Sequence, residues 1–223
     1  MNSQAMGEVC PFWVAGRGSF DYCLEARMGA FRRLLRRPSG IALRIGLLML
    51  KFITDRDLYE EVIGGIVPEA REFLWLATAD LKDMYVERGG SMAPLLGVLS
   101  SLAARRVAIR LLHAKEPGRA FRRDFDKYPN LITGMERILC PRVHFKCVVA
   151  DGRIAYSGSA NLTGAGLGAK SAHRRNFESG IVTDDSTIVS AVMEQFDNVW
   201  RGAYCRGCGR QQYCADYKDM QGG

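Results

Sequence analysis

Apolar positions alternate with other residues on both sides of Asp151-Gly152, between His144 and Asn161. An Asp-Gly pair between two such runs is typical of a β-hairpin, because a type I′ turn needs positive φ at both central residues. With these two residues as the loop, facing residues are fixed. The predicted pairs are Ala150 with Arg153, Val148 with Ala155, Lys146 with Ser157, and His144 with Ser159.

This register gives the hairpin one apolar and one polar face. The apolar face, which we expect to join the core, carries Phe145, Cys147, Val149, Ile154 and Tyr156. The polar face carries His144, Lys146, Ser157 and Ser159, with the small side chains of Ala150 and Ala155 beside them. A one-residue slip would exchange the two faces, so the pattern predicts a well-determined register.

Helices and strands alternate through most of the remaining chain. The periodicity predicts helices over residues 54–71, 92–105, 119–128 and 185–200. It predicts strands over residues 72–79, 107–113, 135–140 and 178–183, and a glycine-rich loop or short helix over 164–170. This alternation, with one hairpin, indicates an α/β sandwich of helices around a mixed β-sheet.

The first fifty residues are less regular, and we expect residues 1–50 to be an N-terminal extension. Glycine and proline break the periodicity over residues 1–30, which show no secretory signal pattern. Residues 31–37 form a basic amphipathic segment, which either packs through its leucines or contacts phosphates or lipid head groups. Residues 41–53 are apolar but interrupted by Arg44 and Lys51, which predicts a buried strand or core helix and no transmembrane segment.

Composition and charge narrow the class of protein and of partner. The 223 residues are 48% apolar and 25% charged, as in ordinary soluble globular proteins. The net charge of +7 favours an anionic partner, either nucleic acid or an anionic membrane surface. Many soluble proteins are equally basic, so the charge alone does not choose between these partners.

The hairpin also carries a spaced set of polar residues, H-x-K-x4-D-x6-G-S-x-N. The six positions are His144, Lys146, Asp151, Gly158, Ser159 and Asn161. At average residue usage such a match occurs by chance on the order of once in 10^8 starting positions. The pattern resembles the motif of the phospholipase D superfamily, closely over residues 144–161 and more loosely over residues 51–202. Residues 51–202 are therefore the expected catalytic domain, with an α-β-α sandwich fold.

The resemblance implies a role for each position. His144 is the expected nucleophile or proton donor, Lys146 and Asn161 are the expected phosphate ligands, and Ser159 is a supporting donor. Glu178 is expected to hold the imidazole by its second nitrogen. Asp151 and Gly158 are expected to be structural. The chemistry that the resemblance implies uses no catalytic metal.

Other polar residues near the motif have two interpretations each. Arg174 and Arg175 precede Glu178, so they are either a solvated surface or the rim of a phosphate-binding cleft. His113 and Lys115 form a second H-x-K, but Ala120 stands where the aspartate is required. We interpret this second pair as a coincidence at a strand end, although either side chain could line the cleft.

Three cysteines lie close together in the tail, residues 203–223. Cys205, Cys208 and Cys214 have a spacing suited to a structural zinc ion or an iron–sulfur cluster. Cys140 is the preferred fourth ligand, with Cys10 and Cys23 as alternatives, since the predicted register points Cys147 into the core. The alternative is three unconnected thiols. Seven cysteines without a secretory signal favour reduced thiols and a cytoplasmic protein.

These observations favour a phosphodiesterase acting on nucleic acid. The alternatives are a phospholipase D acting on phospholipid head groups and a non-catalytic nucleic-acid-binding module. Proteins of this superfamily usually obtain two catalytic histidines from two motif copies, and this chain has one complete copy. We therefore expect a homodimer in which two copies share one active site.

Overall fold

The computed structural model describes residues 48–82, 84–88 and 90–217. The basic segment 31–37, Cys10, Cys23 and most of the expected N-terminal extension lie outside these residues. Within the described ranges, no helix is long and apolar enough to cross a membrane.

Seven strands form one mixed sheet. In spatial order they are β1 (Leu50–Thr54), β9 (Ser179–Thr183), β8 (Ile154–Gly158), β7 (Lys146–Ala150), β2 (Phe73–Thr78), β5 (Ala108–His113) and β6 (Met135–Leu139). Strands β2, β5 and β6 are parallel, and the other neighbours are antiparallel. A separate hairpin pairs β3 (Tyr85–Arg88) with β4 (Ser91–Pro94). The predicted α/β sandwich with a mixed sheet is confirmed.

Helical segments cover both faces of the sheet. One face packs against the helix Leu95–Ala104 and a helical stretch made of Arg56–Leu58, the π-helical Tyr59–Ile66 and Val67–Glu69. The other face packs against the helix Ser186–Trp200, whose Phe196 is fully buried and stacks on Trp75 at 4.9 Å between ring centroids. Burying an aromatic side chain of this size contributes about 1.5–3 kcal/mol. The sheet is therefore the middle layer of a sandwich with two apolar cores.

Most predicted elements are present, with shifted ends. The helix Ser186–Trp200 is capped by Asp185, whose carboxylate accepts hydrogen bonds from Thr187 N and Ile188 N. The predicted helix over residues 92–105 starts later, because residues 91–94 form β4. The hairpin of β3 and β4 and the short helices Arg119–Phe125 and Asn130–Gly134 complete the fold. Residues 164–170 form turns without a helix.

The predicted hairpin register is wrong by one residue. Asp151 and Gly152 do have positive φ, 55° and 64°, but Ala150 pairs with Ile154 and not with Arg153. The loop therefore has three residues. The reason is that the neighbouring strand binds the turn, since Asp151 N donates to Phe73 O at 3.0 Å.

The predicted division into an apolar and a polar face is wrong as well. With the observed register Lys146 shares a face with Val148, Ala150, Ile154 and Tyr156, and every residue of β7 is buried. Cys147 and Val149 point to the opposite face, which is also an apolar core. Because helices cover both faces, the polar residues of the motif meet at the end of the strands and not along one face.

The Asp151 side chain holds the start of β2. Its carboxylate accepts hydrogen bonds from the backbone N–H groups of Arg71, Glu72 and Phe73, at 2.8–3.2 Å. Asp151 follows β7, whereas Lys146 begins it, so these two motif residues stand at opposite ends of one strand, about 16 Å apart.

We predict that Asp151→Ala lowers the free energy of unfolding by about 1–3 kcal/mol, because three backbone donors lose a charged acceptor. Asp151→Asn keeps one side-chain oxygen and tolerates positive φ, so its loss should be smaller. Urea denaturation followed by circular dichroism measures both. An unchanged free energy of unfolding in Asp151→Ala would contradict the structural role.

Candidate active site

The topology gathers the motif residues at one edge of the sheet. Because β7 runs antiparallel to β2 and β8, its first residue, Lys146, lies beside Gly158 at the end of β8 and close to the end of β2. Gly158 in turn pairs with Gly180 at the start of β9. The loops that leave these strand ends carry Ser159, Asn161 and Glu178. Ends of parallel strands in α/β sheets are common positions for ligand sites.

His144 and Lys146 form the centre of this edge. His144 is exposed and lies just before β7, whereas Lys146 is only 6% exposed. The Lys146 Nζ atom lies 3.4 Å from His144 Nδ1 and also donates to the His144 carbonyl oxygen. Among the described residues, no carboxylate forms an ion pair with Lys146. A lysine with a largely buried side chain therefore stands beside an accessible imidazole, with no carboxylate in direct ion-pair contact among the described residues.

Ser159 and Glu178 are joined across the loops that follow β8 and precede β9. The Ser159 hydroxyl donates to the Glu178 carboxylate, which also accepts from Asn176 Nδ2 at 3.1 Å. The predicted contact between Glu178 and the His144 ring is not among the hydrogen bonds of the described residues. Glu178 is nevertheless close enough to Lys146 to favour its charged form.

The side chain of Asn161 is fixed in orientation. Its Oδ1 atom accepts from the backbone N–H groups of Ala79 and Asp80, each at 3.1 Å, and lies 3.3 Å from Thr78 Oγ1. Since backbone N–H groups can only donate, the oxygen must face them. The Nδ2 group then points away, and no partner for it is present in the part of the chain that the structure describes. It is a free donor for an anion.

Thr78 is a site residue that the pattern of the chain did not single out. Its hydroxyl is fully buried and accepts from Leu162 N at 3.0 Å, which ties the loop after the motif to the end of β2. The sequence feature that could have identified Thr78 is a polar residue at the end of an apolar strand.

Two glycines allow β8 and β9 to approach closely at this edge. A methyl group on Gly158 would lie 2.5 Å from both Ser179 O and the Tyr156 hydroxyl, and one on Gly180 would overlap the Tyr156 ring. The Tyr156 hydroxyl in turn accepts from Ala160 N at 3.3 Å. Gly158 is thus required by packing, which agrees with the structural role expected for it.

The loop between β8 and β9, which carries Ser159 and Glu178, also contains Arg174, Arg175 and Phe177. Arg174 is exposed and Arg175 is half-buried, and no hydrogen bond or ion pair of either guanidinium group is present among the described residues. Phe177, between Asn176 and Glu178, is 97% exposed. This loop thus carries two guanidinium groups and one aromatic ring that are at least partly exposed to solvent.

His113 does not line the cleft. It is 2% exposed, at the end of β5, and its Nδ1 atom lies 2.9 Å from Lys115 O. Lys115 forms an ion pair with Asp80 at 3.2 Å. The second H-x-K therefore consists of a buried histidine at a strand end and a lysine in a salt bridge. This agrees with its interpretation as a coincidence.

Four of the cysteines lie together beside the end of β6. Cys140, Cys205, Cys208 and Cys214 are half-buried and line one cavity, whereas Cys147 is buried in the core. Burial raises the pKa of Cys205, and the neighbouring Cys140 and Cys208 thiols raise it further. In the described ranges, no three His, Cys, Asp or Glu side chains already surround a point as metal ligands.

Comparison with known proteins gives one family and several similar structures. Residues 67–200, more than half of the chain, match the family described as "Cardiolipin synthase, PLD-like domain". No curated protein matches the sequence. NucT from Helicobacter pylori is similar in structure, with 18% identity and a TM-score of 0.51, over 68% of this chain and 95% of that chain.

Two further solved structures are similar. Nuc from Salmonella typhimurium, a phospholipase D family member, has 14% identity and a TM-score of 0.51, over 69% of this chain and 95% of that chain. Phosphatidylserine synthase from Haemophilus influenzae has 16% identity and a TM-score of 0.50, over 80% of this chain and 45% of that chain. At these identities the likeness is one of fold.

We predict that the affinity for a phosphate group decreases as pH rises. The decrease should occur at a lower pH than it would beside a lysine of ordinary pKa. Burial lowers the pKa of Lys146 from its ordinary value of 10.5, although Glu178 partly opposes this. Only the charged form attracts phosphate, so binding weakens as pH rises through the lowered pKa. Calorimetric titration of inorganic phosphate between about pH 7 and pH 10 measures the effect.

Lys146→Arg is the matched control, since a guanidinium group keeps its charge throughout that range. Its phosphate affinity should change less with pH. The same pH dependence in both proteins would contradict the assignment of the transition to Lys146.

Proposed function

Because the chain belongs to the phospholipase D superfamily, we propose that it hydrolyses phosphodiester bonds with His144 as the nucleophile. The observation that carries this proposal is the unneutralised Lys146 ammonium group, 3.4 Å from the imidazole of His144. The free Nδ2 donor of Asn161 supports it. A cation and a neutral donor beside an accessible histidine suit the binding of a phosphate group and attack on it.

The proposed reaction has two steps. First, His144 Nε2 attacks phosphorus, a P–N bond forms, and the P–O bond to one ester oxygen breaks as that oxygen takes a proton from a second acid. Then water attacks phosphorus, the P–N bond breaks, and the proton of the water passes to the group that acted as the acid. Lys146 and Asn161 stabilise the charge on the non-bridging oxygens, so the proposed chemistry needs no metal ion.

The contact between Lys146 and His144 suggests how the nucleophile is activated. An ammonium group can only donate, so Nδ1 accepts and the ring proton of neutral His144 stays on Nε2, where it blocks attack. A bound phosphate draws Lys146 toward itself. Nδ1 can then take the ring proton and donate it to a carboxylate, which is the role that we propose for Glu178. Ser159 would hold that carboxylate in place.

The leaving oxygen needs a second acid, and we infer that it comes from another copy of the chain. His113 is buried, and the exposed His173 is followed by Arg175 in place of the lysine. Two copies related by a two-fold axis would bring together two His144 side chains, each of which is exposed at the edge of its own sheet. The similarity covers 95% of the NucT chain and 95% of the Nuc chain, so each of those chains contains a single copy of the fold.

We propose nucleic acid as the substrate. Arg174 and Arg175 beside the cleft can contact phosphates of a chain that passes through it. Phe177, 97% exposed beside Glu178, can stack on a base, which is a common feature of single-strand binding. The net charge of +7 adds a general attraction for a polyanion.

A phospholipid substrate is the second candidate, because the edge strand β1 exposes apolar side chains. Leu48, Leu50 and Phe52 are each more than 60% exposed. Such side chains suit contact with a lipid surface. They lie on β1, two strands away from β8, whereas Arg174 and Phe177 belong to the loop that carries Ser159 and Glu178, so nucleic acid is favoured.

We predict hydrolysis of a single-stranded oligonucleotide and of bis(p-nitrophenyl) phosphate, without added divalent metal. His144→Ala should reduce both rates by about 10^3-fold, through loss of the nucleophile. Phe177→Ala should raise KM for the oligonucleotide about tenfold, by loss of one stacked base, and leave the small diester unchanged. Steady-state kinetics with duplex DNA and anionic vesicles as further substrates completes the measurement.

Each alternative outcome of this experiment is distinct. Hydrolysis of vesicle lipid alone would support the phospholipid substrate. A strict requirement for Mg²⁺ would contradict the histidine mechanism. Oligonucleotide binding with no hydrolysis of any substrate would support a non-catalytic nucleic-acid-binding module. Asn161→Asp is a further control, which tests the Nδ2 donor separately. This change keeps the oxygen that the backbone N–H groups of Ala79 and Asp80 require but removes the donor.

We predict that activity depends on the square of the fraction of intact chains. Mixing equal amounts of wild-type and His144→Ala chains, with exchange of subunits, should leave about one quarter of the wild-type activity if each shared site needs two intact histidines. Independent sites would leave about one half. Sedimentation should show a dimer at the assay concentration, and a fully active monomer would contradict the shared site.

A further inference from the structure

The C-terminal tail packs against the end of β6 without an apolar core of its own. None of the residues 201–217 is buried, and Tyr204 and Tyr213 are each more than half exposed. Ordering one residue costs about 1–2 kcal/mol of conformational entropy. Segments that bury so little apolar surface are usually held by disulfides or a metal ion. The cysteines in the described ranges form no disulfide, and four of them lie at the junction of the tail with β6.

The tail is bound to the end of β6, next to Cys140. Leu139 N donates to the Asp216 carboxylate at 2.7 Å, and the Cys214 thiol donates to Leu139 O at 3.2 Å. On the other side Arg142 Nη1 donates to Tyr204 O at 3.4 Å. These contacts bring Cys140 and Cys214, which are 74 positions apart in the sequence, to the same place.

Cys205 and Cys208 are presented together by a tight turn. Cys208 N donates to Cys205 O at 3.0 Å, and Gly207 inside the turn has φ of 70°, which favours glycine. A turn with two cysteines three positions apart is the usual half of a structural zinc site, because both thiolates can reach one ion.

The four thiols line one cavity of about 220 Å³, with Arg142 and Arg210 also in its wall. Arg142 Nη1 lies 3.8 Å from the Cys208 sulfur. Four thiolates around one divalent ion carry a net charge of −2, so the two guanidinium groups offset the charge that such a centre would bring.

We propose that Cys140, Cys205, Cys208 and Cys214 bind one structural zinc ion that fastens the tail to β6. The thiols rotate into the cavity on binding and release their protons to solvent. Four soft sulfur ligands in a closed set fit zinc without an open position for a substrate. Val143 and Phe145 line the same cavity but His144 and Lys146 do not, so the centre takes no direct part in the chemistry.

The zinc also positions the segment that leads to the nucleophile. Cys140 is four residues before His144, and Val143 N donates to Cys140 O at 2.9 Å. A metal bound to Cys140 therefore restrains the turn that carries the catalytic histidine. This consequence rests on the proposed function, whereas the metal site itself does not.

We predict about one zinc ion per chain in protein purified without chelators, measured by elemental analysis. The zinc content of Cys208→Ser and of Cys214→Ser should fall at least tenfold. Cys147→Ala removes the matched cysteine in the core, and its zinc content should not change. Stripped protein refilled with Co²⁺ should show thiolate-to-cobalt charge-transfer and tetrahedral d–d absorption. Zinc removal should lower Tm by about 5 °C or more.

Two results would overturn the proposal: iron with acid-labile sulfide in place of zinc, or no bound metal in folded wild-type protein. The wild-type metal content and cobalt spectrum decide the matter even if the serine variants do not fold. His144→Ala keeps all four thiols and should bind zinc fully, so failure of the hydrolase mechanism and failure of the zinc site are separate observations.

Discussion

The partial burial of the charged Lys146 side chain is the constraint on which the site depends. A buried charge costs several kcal/mol unless it is compensated. Here the compensation is partial, because the contacts come from His144 while Glu178 acts from a distance. Such a charge is retained only where the rest of the fold is stable enough to hold it. The remaining positive potential is what an incoming phosphate group would neutralise, so the same arrangement that weakens the fold suits the site for an anion.

The fold meets this constraint by placing the charge at the edge of the sheet and not in its middle. Antiparallel pairing of β7 with β2 and β8 brings Lys146 to the strand ends, where loops can supply polar groups. Tight packing there requires glycine at Gly158 and Gly180, since any side chain would meet Tyr156. Buried donors are also satisfied at this edge, with Asn161 and Thr78 accepting backbone hydrogen bonds. Asp151 likewise accepts backbone hydrogen bonds, at the other end of β7. The structural residue of the motif therefore lies apart from the residues of the candidate site.

The tail presents the opposite problem, since none of its residues 201–217 is buried and it contacts β6 mainly through polar groups. Its contacts with Leu139 and Arg142 are few, and hydrogen bonds at a solvent-exposed surface contribute little net free energy. A metal centre would supply the missing stabilisation and would connect the last segment of the chain to the turn before His144. In that arrangement the two ends of the turn, Cys140 and His144, would serve stability and chemistry respectively.

Local patterns determined part of this protein. The two-residue spacing of His144 and Lys146, the positive φ of Asp151 and Gly152, and the helix after Asp185 all follow from neighbouring residues, and so does the alternation that predicts an α/β fold. The tertiary structure decided the rest. The bonds between Asp151 and the start of β2 set a three-residue loop, and helices on both sides buried the face that the alternation predicts to be polar. Asn161 meets Ala79, and Cys214 meets Leu139, only because strand order brings them together. Pairing between distant segments depends on the total packing of the sheet, and no local spacing encodes it.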